Sequence, residues 1–117
     1  IYFPGKYEAQ KDAKWPLLVF LHGAGERGNN IERVKVHGPP KLIEKGEHFP
    51  FIVVSPQCPR GQVWNVATLN AMLDDLIKQH RIDTSRLYLT GLSIFPRTWR
   101  ASLARCCGAA STWLNPV

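Results

Sequence analysis

Three short, largely apolar segments constrain the fold of this chain most strongly. They occupy residues 17–21, 51–55 and 86–93, and the first is an unbroken apolar run without the alternation of a half-exposed strand. Short continuous runs of this kind are typical of strands that are buried on both faces, as in a parallel sheet. We therefore expect three parallel strands. Residues 1–8 predict a further strand, which Pro4 and Gly5 interrupt.

Helical patterns separate these strands. Residues 67–80 carry one apolar stripe with helical spacing, formed by Leu69, Met72, Leu73, Leu76, Ile77 and His80. Asp74 and Asp75 point in different directions on such a helix, so we interpret them as a solvated face rather than a catalytic pair. A shorter helix is expected at 39–46, between two prolines and a glycine, and residues 83–85 predict a turn. Strands alternating with helices predict an α/β fold with right-handed crossovers.

Composition and charge narrow the functional classes. The chain has 117 residues, enough for one domain, and its 44% hydrophobic and 21% charged residues are ordinary for a soluble globular protein. No apolar run reaches the roughly 18 residues that a membrane span needs. The net charge of +6 includes three arginines in a tail without acidic residues, at Arg97, Arg100 and Arg105. A basic tail can bind nucleic acid, but no nucleic-acid motif accompanies it, so we expect no such partner.

Two motifs made of residue types that are used in catalysis directly follow predicted strands. The first strand ends in His-Gly-Ala-Gly at residues 22–25, and the last runs into Gly-Leu-Ser at 91–93. A serine at the tip of a strand is typical of a nucleophile elbow, and the glycine loop suits an oxyanion hole. Because active residues gather at the carboxyl ends of parallel strands, we expect Ser93 to lie beside residues 22–25. The alternative is a plain strand-to-helix loop; the spacing of a phosphate loop is absent.

His22 and Cys58 are further candidates for chemistry. A histidine beside a glycine loop can act as a general base, but more often it holds the loop in shape through hydrogen bonds. We predict this shaping role for His22, together with Gly23 and Gly25. Cys58 has no evident activating partner, which favours packing. The three cysteines include no Cys-x-x-Cys pair, so no zinc site is indicated, and we expect no metal and no cofactor.

Several of these segments together resemble a known family. Residues 17–28 (LLVFLHGAGERG), residues 54–59 (VSPQCP) with Trp64, and residues 82–93 (IDTSRLYLTGLS) look like the α/β-hydrolase serine esterases. The most similar group is the phospholipase/carboxylesterase and polyhydroxybutyrate-depolymerase-like branch. The resemblance covers about residues 14–93, with the segments in the same order and at plausible spacing.

The resemblance implies an α/β-hydrolase-type parallel sheet with flanking helices, which is incomplete in this chain. It also implies a serine hydrolase that cleaves small-molecule carboxylic esters through an acyl-enzyme. Ser93 matches the nucleophile of the family. The backbone N–H groups of Ala24 and Ile94 would then form the oxyanion hole.

The chain departs from the family after the serine. Phe95 and Pro96 stand where the family continues with glycines, and residues 94–117 contain no Asp, Glu or His to complete a triad. We therefore expect a single partial α/β-hydrolase domain over residues 1–117, with an atypical tail at 94–117. A shifted reading frame, a mis-assigned sequence or a truncated gene would each produce such a tail.

The missing triad residues leave the activity and partners open. As written, the chain is expected to be at best a very poor esterase, since all its histidines precede the serine, and His37 and His48 show no evident route to the site. The alternative is a non-catalytic α/β-hydrolase-like fragment that acts by association, including self-association, through an open sheet edge after the last strand. The opening residues resemble the middle of a strand, and no signal peptide or compartment is indicated.

Overall fold

A computed structural model describes residues 1–92 of the chain, so the tail predicted at 94–117 lies outside the described residues. Strands and helices alternate over this range, with two 3-10 helices, Ala24–Glu26 and Ile31–Val36, between the first strand and the first α-helix. The elements are, in order, β1 (Trp15–Leu21), α1 (Gly38–Glu44), β2 (Ile52–Val54), α2 (Val66–Gln79) and β3 (Ile82–Gly91).

The described strands form one parallel sheet in the order β2-β1-β3, with β1 at its centre. Leu17 of β1 is paired with Ile52 of β2 on one side and with Leu87 of β3 on the other. Helix α1 lies in the connection from β1 to its neighbour β2, and helix α2 lies in the connection from β2 to β3, on the other side of β1. The predicted α/β class, with a small parallel sheet and flanking helices, is therefore confirmed.

The central strand is buried on both faces, as its unbroken apolar run predicts. All side chains from Leu17 to Leu21 are buried. Because successive side chains of a strand point to opposite faces, one set packs with Leu69 and Leu73 of α2 in the main core. Phe20 belongs to the other set, and its ring lies against Gly38 at the start of α1.

Helix α2 confirms the predicted stripe, with bounds one residue earlier than expected. Asn65 caps its start, because the Asn65 side-chain oxygen accepts a hydrogen bond from the Thr68 backbone N–H at 3.1 Å. The helix buries Leu69 and Leu73, while the partly buried members of the stripe that pack against the same core are Met72, Leu76 and Ile77. His80, the last residue of the predicted stripe, occupies the C-cap position of the helix.

Helix α1 ends at Glu44, two residues before the predicted end. Prolines occupy its first turn, where their missing N–H groups leave no helical hydrogen bond unmade. After the helix, Gly46 adopts a φ of 93°. Its N–H bonds to the Ile43 carbonyl, and the Glu47 N–H bonds to the Leu42 carbonyl. This Schellman pattern needs a left-handed residue at position 46, which glycine supplies without strain.

The prediction of a strand over residues 1–8 is wrong. Only Tyr2 makes a strand-like contact, an isolated antiparallel bridge to Val53 with N···O distances of 2.8 and 3.1 Å. Pro4 has no N–H to donate to a ladder, and the chain turns after it, as the bond from the Tyr7 N–H to the Pro4 carbonyl shows.

The turn predicted at 83–85 lies inside β3 rather than before it. Pairing with β1 shifts register between Trp15, opposite Ile82, and Leu17, opposite Leu87. The extra residues of β3 form a bulge opposite Pro16, which has no N–H for the ladder. The hydrogen bond that is typical of such a turn still forms within the bulge. The Asp83 carboxylate accepts it from the Ser85 N–H at 2.9 Å.

Candidate active site

The carboxyl ends of β1 and β3 lie side by side, as the parallel topology requires. Leu21 is paired with Gly91, and the backbone N–H of Leu92 donates to the Leu21 carbonyl at 3.1 Å. The glycine loop that begins at His22 and the residue that precedes Ser93 therefore leave the sheet at the same point. Ser93 itself, and Ile94, lie outside the described residues.

Gly23 is enclosed by the groups that surround this point. A methyl group on its Cα would lie 3.2 Å from the Glu26 Oε2 atom and 3.8 Å from the Leu92 Cβ atom. The first distance is tighter than an ordinary carbon–oxygen contact, so the loop passes closely between the Glu26 carboxylate and the end of β3. This packing brings the glycine loop to the residue that precedes Ser93 in the chain.

Ala24 and Gly25 form the exposed outer part of the loop. Ala24 is the first residue of the 3-10 helix Ala24–Glu26, so its backbone N–H has no acceptor within that helix. Both residues are exposed, and a methyl group on Gly25 would meet no atom within 4 Å. The Ala24 N–H is thus available to an acceptor that approaches from solvent.

Both ring nitrogens of His22 are engaged within the protein. The buried ring accepts a hydrogen bond at Nε2 from the Cys58 backbone N–H, at 2.8 Å. Because Nε2 is the acceptor, the proton resides on Nδ1, which lies 2.6 Å from the Gly23 carbonyl oxygen and donates to it. The arrangement is the one that a loop-shaping histidine requires, and it leaves no nitrogen free to act as a base.

The loop after β2 is hydrogen-bonded to the segment that follows the glycine loop. Its Gln57 side chain donates to the carbonyls of Glu26 and Asn30, each at 2.8 Å, and the Gly28 N–H donates to the Cys58 carbonyl at 3.0 Å. No motif in the sequence assigns Gln57 this role; the one local signal is its position between two prolines, Pro56 and Pro59. Cys58 is a buried free thiol, in agreement with its predicted packing role.

Trp64 lies between His22 and a small cleft. The Trp64 indole N–H donates to the His22 carbonyl at 3.4 Å, and the centroids of the Trp64 and His22 rings are 4.9 Å apart. The cleft beside it has a volume of about 160 Å³, and its apolar lining includes Pro56, Pro59, Leu69 and Met72. Such a cleft can hold a small apolar group.

His37 lies closer to the glycine loop than the sequence indicated. Its Nε2 atom is 3.6 Å from the Glu26 Oε1 atom. The Glu26 side chain is only 12% exposed, whereas that of His37 is half exposed. His37 thus contacts the residue that follows the glycine loop, a contact that the sequence did not indicate, because the 3-10 helix Ile31–Val36 returns the chain to the loop.

Several kinds of site are absent from the described part of the chain. Over residues 1–92, no cluster of three or more His, Cys, Asp or Glu side chains could hold a metal ion. None of the helices in this range has both the length and the apolar character that crossing a membrane demands. In the comparisons with known proteins, no family model and no curated protein matches the chain.

Proposed function

We propose that this chain is an α/β-hydrolase-type serine hydrolase that cleaves carboxylic esters through an acyl-enzyme. The observation that carries the proposal is the meeting of the glycine loop with the end of β3, where Leu92 bonds to Leu21 and packs beside Gly23. A nucleophile elbow requires its serine directly after a strand that ends beside an oxyanion loop. Ser93 follows Leu92 in the chain.

The chemistry assigns one task to each part of this site. The Ser93 hydroxyl attacks the ester carbonyl carbon, and the alcohol leaves to give an acyl-serine that water then hydrolyses. Negative charge develops on the former carbonyl oxygen, and the N–H groups of Ala24 and Ile94 stabilise it. One such donor is worth about 3 kcal/mol in the transition state. His22, Gly23 and Gly25 hold the loop that presents the Ala24 N–H.

The small cleft beside Trp64 favours small esters. Its volume of about 160 Å³ accommodates a short acyl or alcohol group rather than a long chain. Its lining is mainly apolar, and Gln57, Asn65 and Thr68 add polar groups to it. Short esters are therefore the substrates with which the activity is first tested.

The test is hydrolysis of p-nitrophenyl acetate by the purified chain, by Ser93→Ala and by Ser85→Ala. Ser85 is an exposed serine in the bulge of β3, remote from Leu92, and serves as the matched control. The proposal expects a slow but measurable rate that disappears in Ser93→Ala and persists in Ser85→Ala. Equal rates for all three proteins would refute it.

Association with another chain is the second candidate function. Among residues 1–92, β3 pairs with β1 alone, so its other edge presents a row of backbone donors and acceptors to whatever lies next to it. Sedimentation of the purified chain over a range of concentrations tests this candidate. A concentration-dependent increase in mass, together with no Ser93-dependent hydrolysis, would favour it over the esterase.

A further inference from the structure

The cleft beside Trp64 reaches from solvent to the core. Its lining includes Val63, which is 74% exposed, and Leu69 and Cys58, which are each 3% exposed. Leu69 belongs to the main core, and Met72, also in the lining, packs against that core. A molecule that enters past Val63 therefore meets apolar side chains that the packing of α2 on the sheet already holds in place.

The lining of the cleft is uncharged. Charged residues make up 21% of the chain, yet within the described residues no Asp, Glu, His, Lys or Arg lines the cleft. A charged ligand would lose its hydration here without gaining an ionic partner, and this loss costs far more for an ion than for a neutral group. The cleft therefore favours uncharged molecules.

The Thr68 hydroxyl offers such a molecule one hydrogen bond. Thr68 is exposed and lines the cleft. Its hydroxyl oxygen lies 3.4 Å from the Asn65 side-chain oxygen, which is longer than a usual O–H···O bond. The same Asn65 oxygen already accepts the Thr68 backbone N–H at 3.1 Å. The hydroxyl can therefore turn to a hydroxyl or carbonyl group of a ligand without giving up a strong bond.

The volume of the cleft sets the size of that ligand. It measures about 160 Å³, and an apolar protein cavity of about 150 Å³ holds one benzene molecule, with roughly six non-hydrogen atoms. Met72 has an unbranched, flexible side chain, so the lining can adjust to a linear or a ring-shaped apolar group.

Two residues of the lining also hold His22. The Cys58 backbone N–H donates to His22 Nε2 at 2.8 Å, and the Trp64 indole N–H donates to the His22 carbonyl at 3.4 Å. An opening that moves Cys58 and Trp64 away from His22 also takes away two walls of the cleft. A ligand in the cleft thus binds the closed arrangement better than the open one, and this difference is what allows it to stabilise the closed arrangement.

We propose that the cleft is a binding site for a small uncharged molecule with an apolar part and one hydroxyl or carbonyl group. The bound molecule stabilises the arrangement in which Cys58 and Trp64 hold His22. Short aliphatic alcohols and ketones belong to this chemical class. Binding of this kind requires no hydrolysis, so the inference goes beyond the proposed function.

The first measurement titrates 1-pentanol into the full chain and follows the Trp64 indole N–H resonance by NMR. We expect a saturable shift, with a dissociation constant about fourfold lower than that of 1-butanol, because one more methylene is buried. Pentylammonium and pentanoate have the same carbon chain with a positive or a negative charge, and each should bind about tenfold more weakly or worse. Equal binding of the alcohol and either ion, or no saturable shift with the alcohol, would overturn the inference.

Two phenylalanine variants locate the bound alcohol. Thr68→Phe places a ring in the lining and should weaken 1-pentanol binding about tenfold or more, because the ring takes up space that the ligand needs. Ala71→Phe adds the same ring at an exposed position of the same helix, outside the lining, and should bind as the parent chain does. Both positions are exposed, so both variants should fold, as circular dichroism can verify. If Thr68→Phe binds as tightly as Ala71→Phe, the alcohol lies elsewhere and the inference is wrong.

The second measurement tests the link to His22 by hydrogen exchange. At about ten times its dissociation constant, 1-pentanol should slow exchange of the Cys58 amide about tenfold, since the ligand binds the closed arrangement alone. The Val53 amide, which bonds to the Tyr2 carbonyl outside the lining, should exchange as before. Slowing of the Cys58 amide that persists in Thr68→Phe, or no slowing in the parent chain, would overturn the link. Neither result bears on the hydrolysis of p-nitrophenyl acetate, which tests the proposed function separately.

Discussion

The Nε2 atom of His22 accepts a hydrogen bond from the backbone N–H of Cys58, although one residue follows β1 and the other lies in the loop after β2. Both residues are buried, so no water can replace either partner. The same ring donates to the Gly23 carbonyl. The bond therefore fixes the glycine loop relative to the neighbouring loop, and it does so at the end of the sheet where the proposed site lies.

Replacing His22 with Phe should loosen this connection. The substitution keeps a ring of similar size but removes the acceptor, which leaves the Cys58 N–H buried without a partner. We expect a loss of about 1–3 kcal/mol in the free energy of unfolding, measured by urea denaturation, and faster hydrogen exchange of the Cys58 amide. His48→Phe, at an exposed position, should change stability by about 0.5 kcal/mol or less. Similar values for the two variants would contradict the assigned bond.

Leu73→Ala tests the packing of α2 on the sheet. Leu73 is 4% exposed and belongs to the main core, so its truncation should leave a cavity and lower the unfolding free energy by roughly 2–5 kcal/mol. Lys78→Ala, on the exposed side of the same helix, should have an effect within about 0.5 kcal/mol. A Leu73→Ala loss as small as that of Lys78→Ala would mean that the stripe does not face the core.

The sequence predicts these packed elements well because burial leaves a periodic pattern. The unbroken run of β1 encodes two covered faces, and the spacing of Leu69 and Leu73 encodes one helical stripe. Both signals are local, so neighbouring residues suffice to identify them. The parallel arrangement then follows from the order of the elements.

The contacts that build the proposed site are not encoded in this way. His37 approaches Glu26 because a 3-10 helix redirects the chain between them, and no periodicity in the sequence indicates that path. Tyr2 likewise bridges to Val53, a residue of a distant segment, so local patterns wrongly predict an independent strand at residues 1–8. The turn residues at 83–85 make the predicted hydrogen bond, but they lie within β3, in a bulge opposite Pro16 of the neighbouring strand.

Gly38→Ala should disturb the junction between β1 and α1. Gly38 has a φ of 62°, and a methyl group there would lie 2.5 Å from two atoms of the Phe20 ring. Phe20 is buried and cannot move away freely. The unfavourable backbone conformation and the overlap together predict a loss of roughly 2–5 kcal/mol in the free energy of unfolding.

Gly46→Ala is the matched control for the backbone contribution. Its φ of 93° is also positive, but a methyl group at this position would meet no atom within 4 Å. It should therefore be destabilised by the backbone alone, about 1–2 kcal/mol. Thermal or urea unfolding of both variants gives the comparison. A Gly38→Ala chain no less stable than Gly46→Ala would show that Phe20 does not pack against α1 as described.

The last prediction concerns acid and the bulge of β3. Hydrogen bonds from the Ser85 hydroxyl and backbone N–H, followed by the Arg86 guanidinium, lower the pKa of Asp83 to about 2. An unfolded Asp titrates near 3.9. Because the folded pKa is the lower one, the ionised carboxylate stabilises the fold above about pH 4, and this contribution is lost as the pH falls towards 2. Asp83→Asn should therefore be less stable than the parent chain at neutral pH, and the difference should shrink continuously between about pH 4 and pH 2.

Asp75→Asn, at an exposed position of α2, removes one negative charge without these hydrogen bonds and controls for net charge. Urea unfolding at each pH provides the measurement. A difference between Asp83→Asn and the parent that stays constant over this range would show that the Asp83 carboxylate does not hold the bulge together.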